Sequence, residues 1–307
     1  MICRSGATGG PRIARLCASQ ETGLSNGLAA RLVKAAVTCG VVVWTFSAFA
    51  SAAAGASACD AGPWAPIETA LVVDVRTIVL GDGRAVRLAG LESLAALARD
   101  LETADAMDAR FAGRLAQWLA AKPLRIRVLP GAPDRHGRLA ALVLASGELL
   151  QERLLDAGLA VFMPESLPGN TIGEDAGDAC ARQLLAAEAA ARLARRGGWS
   201  EPEFGVAAAR PDALSSQFGH FVIFQGIVRS VGTRRDRTYI DFGRQWRSDV
   251  TVEIIAARRK FFGGEAALED LAGKSVRVRG FLQERAGPMV SARHPAQIEV
   301  LAHTESR

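Results

Sequence analysis

The stretch ALVVDVRTIVLGDGRAVRLAGL, residues 70–91, predicts the first folded element of this chain. Its first half, residues 70–80, is rich in β-branched residues and largely alternates in polarity, which is typical of a strand. Gly81-Asp82-Gly83 is a turn signal, because glycine readily adopts the positive φ that tight hairpins require. Residues 84–91 provide the return strand. The stretch therefore predicts a β-hairpin at the start of a folded domain.

Helical and strand patterns follow this hairpin along the chain. Between residues 95 and 121, apolar residues recur at the spacing of an amphipathic helix. A glycine-containing turn at 133–137 separates two segments that alternate as strands do. The predicted elements are a helix at 95–121, strands at 124–129 and 138–144, and helices at 149–156 and 179–196.

Residues 201–216 contain two prolines and a run of small residues, which is typical of a linker. Beyond it, three strands, a helix and two strands follow, which is the element order of a five-stranded OB barrel. The strands are predicted at 221–230, 238–242, 249–255, 275–282 and 290–301, and the helix at 264–271. The sequence thus predicts an α+β fold, with an N-terminal segment at 51–66, a first domain at 67–200 and an OB-like domain at 217–303.

Residues 1–50 are predicted to be a leader. Arg31 and Lys34 precede the apolar run 35–50, and Ala48-Phe49-Ala50 has the small residues of a signal-peptide cleavage site. The run is shorter than the roughly 20 apolar residues that span a bilayer. We therefore expect an exported protein, periplasmic or secreted, with no membrane span in the mature chain. A retained membrane anchor and a lipid anchor at Cys59 are the alternatives.

The cysteine count changes when the leader is removed. Three of the five cysteines lie within residues 1–50, and Cys59 and Cys180 remain. Because exported proteins fold in an oxidising compartment, these two cysteines are predicted to form a disulfide. Two free buried thiols are the alternative.

The net charge of +5 also depends on the leader, which holds five basic residues and one acidic residue. The high isoelectric point therefore gives no evidence for nucleic-acid binding by the mature chain. Residues 51–204 hold 16 basic and 20 acidic residues, whereas residues 205–307 hold 16 and 11. The second half is the basic one.

Five motifs between about residue 71 and residue 199 resemble the staphylococcal nuclease-like (thermonuclease) family, in the order and spacing of that family. They lie at 73–80, 86–93, 134–140, 158–160 and 188–199. The resemblance implies an OB-type barrel with flanking helices. It also implies metal-assisted hydrolysis of nucleic-acid phosphodiesters, normally with calcium.

The resemblance assigns catalytic roles to two arginines. Arg87 and Arg138 stand at the arginine positions of the family, where guanidinium groups stabilise the charge that develops on the phosphate. Pairing with a neighbouring carboxylate is the alternative for each of them. In the enzyme hypothesis, Glu92 is the third catalytic residue.

The carboxylates depart from the family pattern. The family sequence Asp-Gly-Asp-Thr is here Asp74-Val75-Arg76-Thr77, and the general base of the family is replaced by Ala95. Only Asp74 and Glu92 remain as candidate metal ligands, whereas calcium needs six to eight oxygens. We therefore expect weak or absent calcium binding, and an ion pair between Arg76 and Glu92 across the hairpin.

Basic clusters in the second half point to nucleic acid as a partner. An OB barrel holds single strands in a basic groove with interleaved aromatic residues. A solvated rim of charges around core aromatics is the alternative. The candidate basic residues are Arg234, Arg235, Arg237, Arg258, Arg259 and Lys260, and the neighbouring aromatics are Phe242, Trp246, Phe261 and Phe262.

Two functional hypotheses follow from these observations. The first is an exported nuclease with an impaired active site. The second is a non-catalytic module that binds nucleic acid, another polyanion or an envelope protein. The sequence does not predict the oligomeric state.

Overall fold

The structure, a computed structural model, describes residues 58–59, 62–67, 70–167, 174–201, 204–245 and 247–302. The predicted leader and part of the N-terminal segment lie outside the described residues. The first sheet has the strand order β1-β6-β7-β4-β3-β2, with β8 paired to β7, and β5 and β9 pair separately. The strands are β1 (Ala65–Ile67), β2 (Ala70–Asp74), β3 (Thr77–Leu80), β4 (Ala85–Leu88), β5 (Leu91–Ser93), β6 (Leu124–Val128), β7 (Leu139–Ala145), β8 (Glu148–Leu149) and β9 (Ala160–Phe162).

The predicted single strand at 70–80 is wrong, because the chain reverses at Val75-Arg76. Strands β2 and β3 pair antiparallel, with Val72 opposite Ile78. The Asp74 side chain accepts a hydrogen bond from the Arg76 backbone N–H at 2.7 Å, which stabilises a tight turn of this kind. The turn at 81–83 is present as predicted, so β2, β3 and β4 form a three-stranded meander.

Three helices accompany the first sheet: α1 (Leu101–Leu119), α2 (Leu150–Asp156) and α3 (Glu174–Leu193). The predicted start of the first helix at residue 95 is wrong. Leu94–Leu97 is a separate 3-10 helix, and α1 begins after Asp100, whose side chain accepts from the Thr103 N–H at 2.8 Å. The apolar spacing correctly predicted the buried face of α1, which consists of Met107, Phe111, Leu115 and Leu119.

The second sheet has the strand order β10-β11-β15-β16-β14-β13-β12, with β17 paired to β15. Two predicted strands, 221–230 and 290–301, are each two strands in the structure. The elements are β10 (Ala207–Ala208), α4 (Pro211–Leu214), β11 (Phe221–Ile227), β12 (Ser230–Thr233), β13 (Arg237–Asp241), β14 (Thr251–Ile255), α5 (Gly264–Glu269), β15 (Ser275–Glu284), β16 (Pro288–Ser291) and β17 (Ile298–Val300). The remaining elements are the 3-10 helices Pro164–Ser166, Gly197–Ser200, Ser215–Gln217, Ala256–Phe262 and Pro295–Gln297.

The two sheets share one strand path. The first follows β2-β3-β4-β7-β6-β1, and the second follows β12-β13-β14-β16-β15-β11. In each path the third and fourth strands are parallel, whereas the other neighbours are antiparallel. The first and last strands of a path do not pair, so neither ladder closes among the described residues. The predicted α+β class is confirmed.

A buried ion pair lies where the two sheets meet. Arg279 on β15 donates to Glu188 on α3 at 2.8 Å, and their side chains are 1% and 0% exposed. Arg279 also donates to the Phe162 carbonyl at 3.3 Å and to Glu299 at 2.5 Å. Both oxygens of Glu188 have a donor, since Arg192 pairs with its Oε1 at 2.9 Å, and such pairing offsets the cost of the buried charge.

The predicted disulfide between Cys59 and Cys180 is present, with an S–S distance of 2.02 Å. Both cysteines are fully buried, and the bond joins the N-terminal segment to α3. In the part of the chain that the structure describes, no helix is long and apolar enough to cross a membrane.

Candidate anion-binding sites

The first candidate site is the arginine cluster, which we define as Arg76, Arg87 and Arg138. Arg76 follows β2, and its Nη1 pairs with Glu92 Oε1, which confirms the predicted ion pair. Arg87 on β4 lies with its Nη2 at 3.4 Å from Glu92 Oε2. The Glu92 side chain is 5% exposed, and its Oε1 also accepts from the Ser93 N–H at 3.0 Å. One buried carboxylate therefore holds two guanidinium groups.

Arg138, the residue before β7, completes the arginine cluster. Its Nε pairs with Asp134 Oδ2 at 2.8 Å, and its Nη1 donates to Thr77 Oγ1 at 3.1 Å. Thr77 is directly opposite Arg87 in the β3–β4 register, so Arg138 is brought towards Arg87. Burial acts to raise the pKa of Asp134, yet the Arg138 and His136 N–H groups and the Arg138 guanidinium lower it to about 2.

The electrostatics of Arg87 reflect its burial and charged neighbours of both signs. Burial lowers the pKa of Arg87, Glu92 raises it, and Arg76 and Arg138 lower it further by repulsion. Its Nε is buried and has no hydrogen-bond partner among the described residues. The three guanidinium groups thus lie among three carboxylates, Glu92, Asp74 and Asp134, and the unpartnered Arg87 Nε, rather than an excess of positive charge, is what suits this site to an anion.

The residues of this site do not fit calcium. The Asp74 carboxylate accepts from the Arg76 N–H and lies 3.8 Å from Arg76 Nε, so Arg76 interacts with both candidate ligands, Asp74 and Glu92. Ala95, at the family's general-base position, is 1% exposed and has no ionisable group. Among the described residues, no group of three or more His, Cys, Asp or Glu side chains is placed to hold a metal ion.

The second candidate site is the groove, which we define as two adjoining cavities of about 610 and 480 Å³ on the second sheet. The two cavities share Arg237, Glu253 and Arg285. Side chains alternate along β13, so that Arg237, Tyr239 and Asp241 line the groove while Thr238 and Ile240 are buried in the core. The arginines that line the groove are Arg234, Arg237, Arg258, Arg285 and Arg293, and the acidic residues are Asp241 and Glu253.

Glu253 forms the floor of the groove, with a side chain that is 5% exposed. Its carboxylate accepts from Arg237 Nη1 at 2.5 Å and from Ser291 Oγ at 3.3 Å, and it lies 3.8 Å from Arg285 Nη1. Burial raises the pKa of Asp241, the other acidic residue, and Asp249 raises it further, whereas its hydrogen bond with Thr251 lowers it. The arginines outnumber the carboxylates, and this excess suits a polyanionic ligand.

The structure separates the basic residues that the sequence singled out. Arg234, Arg237 and Arg258 line the groove. Arg259 does not, since it donates to Thr238 Oγ1 at 3.0 Å, pairs with Glu265 at 2.8 Å and is only 12% exposed. Arg235 is exposed outside the groove, and Lys260 is exposed with its Nζ 4.9 Å from the Phe261 ring.

Two of the aromatic residues bear out the alternative in which aromatic side chains pack in the core. Phe242 packs edge-on against Phe224 at 5.5 Å in the core, and Phe262 also packs against that core. Trp246 lies outside the described residues. The aromatic side chain in the groove is Tyr239, which is the only tyrosine of the chain. Its alternation with Arg237 and Asp241 was the signal that could have identified it.

No family model matches this chain, and no curated protein matches it significantly. The thermonuclease resemblance consequently rests on the five sequence motifs alone. The arginine cluster and the groove are therefore the basis for proposing a function.

Proposed function

We propose that this chain is an exported, thermonuclease-type protein that binds single-stranded nucleic acid and does not hydrolyse it. In this proposal each sheet is an OB-type barrel, with flanking helices in the first and five principal strands in the second. The shared strand path supports this interpretation, since the two end strands of each path are consecutive along the chain, β1 and β2 in the first and β11 and β12 in the second.

The groove is the observation that carries the proposal. It combines five arginines, which match the phosphates of a strand, with Tyr239, whose ring offers a surface for a base. Stacking on an aromatic side chain contributes about 1–3 kcal/mol per base and tolerates any sequence. An excess of arginine over carboxylate around an open groove distinguishes a polyanion site from a pocket for a small apolar ligand.

The arginine cluster supports binding without hydrolysis. Metal-assisted cleavage needs carboxylates that hold the ion and a base that activates water. Here Glu92 accepts from two guanidinium groups, Arg76 interacts with both candidate ligands, and Ala95 offers no base. The same three arginines remain suited to binding a phosphate.

Fluorescence anisotropy with labelled single-stranded DNA and RNA of about 20 nucleotides tests the proposal, since an OB-type barrel covers about 4–16 nucleotides. We expect binding that weakens steeply as salt rises, by about 0.7 log units per log unit of salt for each phosphate contacted. Tyr239→Ala should weaken binding by about 10- to 100-fold, which is the loss of one stacked base. Arg285→Ala should weaken binding and reduce the salt slope by about 1.

Arg84→Ala is the matched control, because Arg84 is an exposed arginine of the first hairpin paired with Asp82. Like Arg285→Ala, this substitution removes one positive charge, but it does so outside the groove. The affinity for nucleic acid should therefore be unchanged. A parallel nuclease assay with calcium, with magnesium and with chelator should show no cleavage. Metal-dependent cleavage would contradict the non-catalytic assignment, and a failure to bind any nucleic acid would leave a protein partner as the function.

A further inference from the structure

The 3-10 helix Pro164–Ser166 packs directly against the arginine cluster. Met163, the residue before it, lies with its Sδ 3.9 Å from Arg87 Nη2 and donates its backbone N–H to the Gly90 carbonyl at 2.9 Å. Ser166 Oγ accepts from the Gly90 N–H at 2.7 Å. The helix is therefore fixed to the loop between β4 and β5, next to Arg87.

The same helix also contacts an element that is next to the groove in sequence. Pro164–Ser166 contacts the 3-10 helix Pro295–Gln297, which directly follows Arg293 and His294. Arg293 lines the groove, and its backbone N–H donates to Gln297 Oε1 at 2.6 Å. One short helix therefore separates the last arginine of the groove from the arginine cluster.

Glu165 lies on this short helix and interacts electrostatically with both sites. Burial raises the pKa of its carboxyl, Arg293 and Arg87 lower it, and Glu92 raises it. The side chain is half-buried. Arg293 of the groove and Arg87 of the arginine cluster therefore both act on this one carboxylate.

We infer that one nucleic-acid strand occupies the groove and the arginine cluster together, crossing the helix Pro164–Ser166 beside Glu165. This inference rests on the proposed function and extends it to a second binding site. Once a strand is held in the groove, its continuation reaches the arginine cluster at a high effective concentration, which increases the affinity for a long strand. Glu165 opposes the strand by repelling its phosphates.

Strand length provides the test. A strand of about 6 nucleotides fits the groove alone, whereas one of about 20 nucleotides reaches both sites. Arg138→Ala should weaken binding of the long strand by about tenfold, the loss of one charged contact, and that of the short strand much less. Glu165→Gln should strengthen binding of the long strand by about two- to fivefold, because a repulsive charge is removed. This gain cannot come from misfolding.

Arg84→Ala should leave the binding of both strands unchanged. Equal effects of Arg138→Ala on both strand lengths, together with no effect of Glu165→Gln, would overturn the inference while leaving the groove as the binding site. Absence of binding by both strands would instead overturn the proposed function and this inference with it. Comparison of DNA and RNA strands identifies which nucleic acid is preferred.

Discussion

Arg76 in the β2–β3 turn and Glu92 on β5 form an ion pair, in which the carboxylate is almost fully buried and the guanidinium side chain is 26% exposed. A positive side chain therefore lies where two carboxylates would otherwise face each other, since Asp74 also lies 3.8 Å from Arg76. The pair satisfies Glu92 internally and removes the need for a metal ion.

Substitution of Arg76 by Asp should create a calcium site. The variant places a third carboxylate beside Asp74 and Glu92 and removes the guanidinium that competes with a cation. We expect a dissociation constant on the order of 10⁻⁴–10⁻³ M, as for weak extracellular sites. Isothermal titration calorimetry with calcium measures it. Arg84→Asp is the control, and equal calcium binding by the wild type would show that Arg76 does not block the site.

The acid stability of the protein should depend on Asp134. Its pKa is lowered from 3.8 to about 2 in the folded state, so its contribution to stability is fully present above pH 4 and is lost as the pH falls towards 2. Asp134→Asn should be less stable than the wild type at neutral pH, and the difference should vanish as the pH approaches 2. Urea denaturation across this pH range measures both. A difference independent of pH would exclude this carboxylate as its source.

The buried arginine between the sheets should be essential for stability. Arg279→Met removes one of the two guanidinium groups that pair with the buried Glu188 and leaves Arg192, 2.9 Å away, as the other; loss of a buried partner costs up to about 3–5 kcal/mol. Lys274→Met is the control, since Lys274 pairs with the exposed Asp270 and its loss should cost less than about 1 kcal/mol. Chemical denaturation of both variants measures the loss of unfolding free energy in each. Similar losses in the two variants would contradict the importance of the buried pair.

The disulfide should contribute strongly to the free energy of unfolding. It closes a loop with a sequence separation of 121 residues. The chain-entropy model assigns about 5 kcal/mol to a loop of this size. The double substitution Cys59→Ser and Cys180→Ser should therefore lower the stability of the oxidised protein by up to this amount. If the double variant and the oxidised wild type unfold at the same denaturant concentration, the bond does not stabilise the fold.

The first hairpin illustrates how far a local pattern can predict structure. The alternation over residues 70–80 identified strand-forming residues, and the turn at 81–83 was placed correctly. The reversal at Val75-Arg76 was missed, because Val75 continues the apolar pattern while the Asp74 side chain bonds to the backbone of the turn. The alternation shows only which residues are apolar. It does not reveal this turn, because the turn depends on a single side-chain hydrogen bond.

In the candidate sites too, some residues were predicted from the sequence and others were brought together only by strand pairing. Arg87, Arg138 and Glu92 were identified from motifs, and the ion pair between Arg76 and Glu92 was expected from their charges. Arg285 and Arg293 were missed, since they follow β15 and β16 and meet Arg237 only when β16 pairs with β14 and β15 pairs with β16. Sequence distance does not indicate which strands become neighbours.

The sequence by itself determined the α+β class, the buried face of α1, the disulfide partners and the basic character of the second half. These properties depend on periodicity, composition and residue count, which are local or additive. Only the tertiary structure decided which arginines are engaged in ion pairs, which arginines line the groove, and that Pro164–Ser166 lies between the two sites. Those properties depend on strand pairing and side-chain direction, which are fixed only when distant segments pack together.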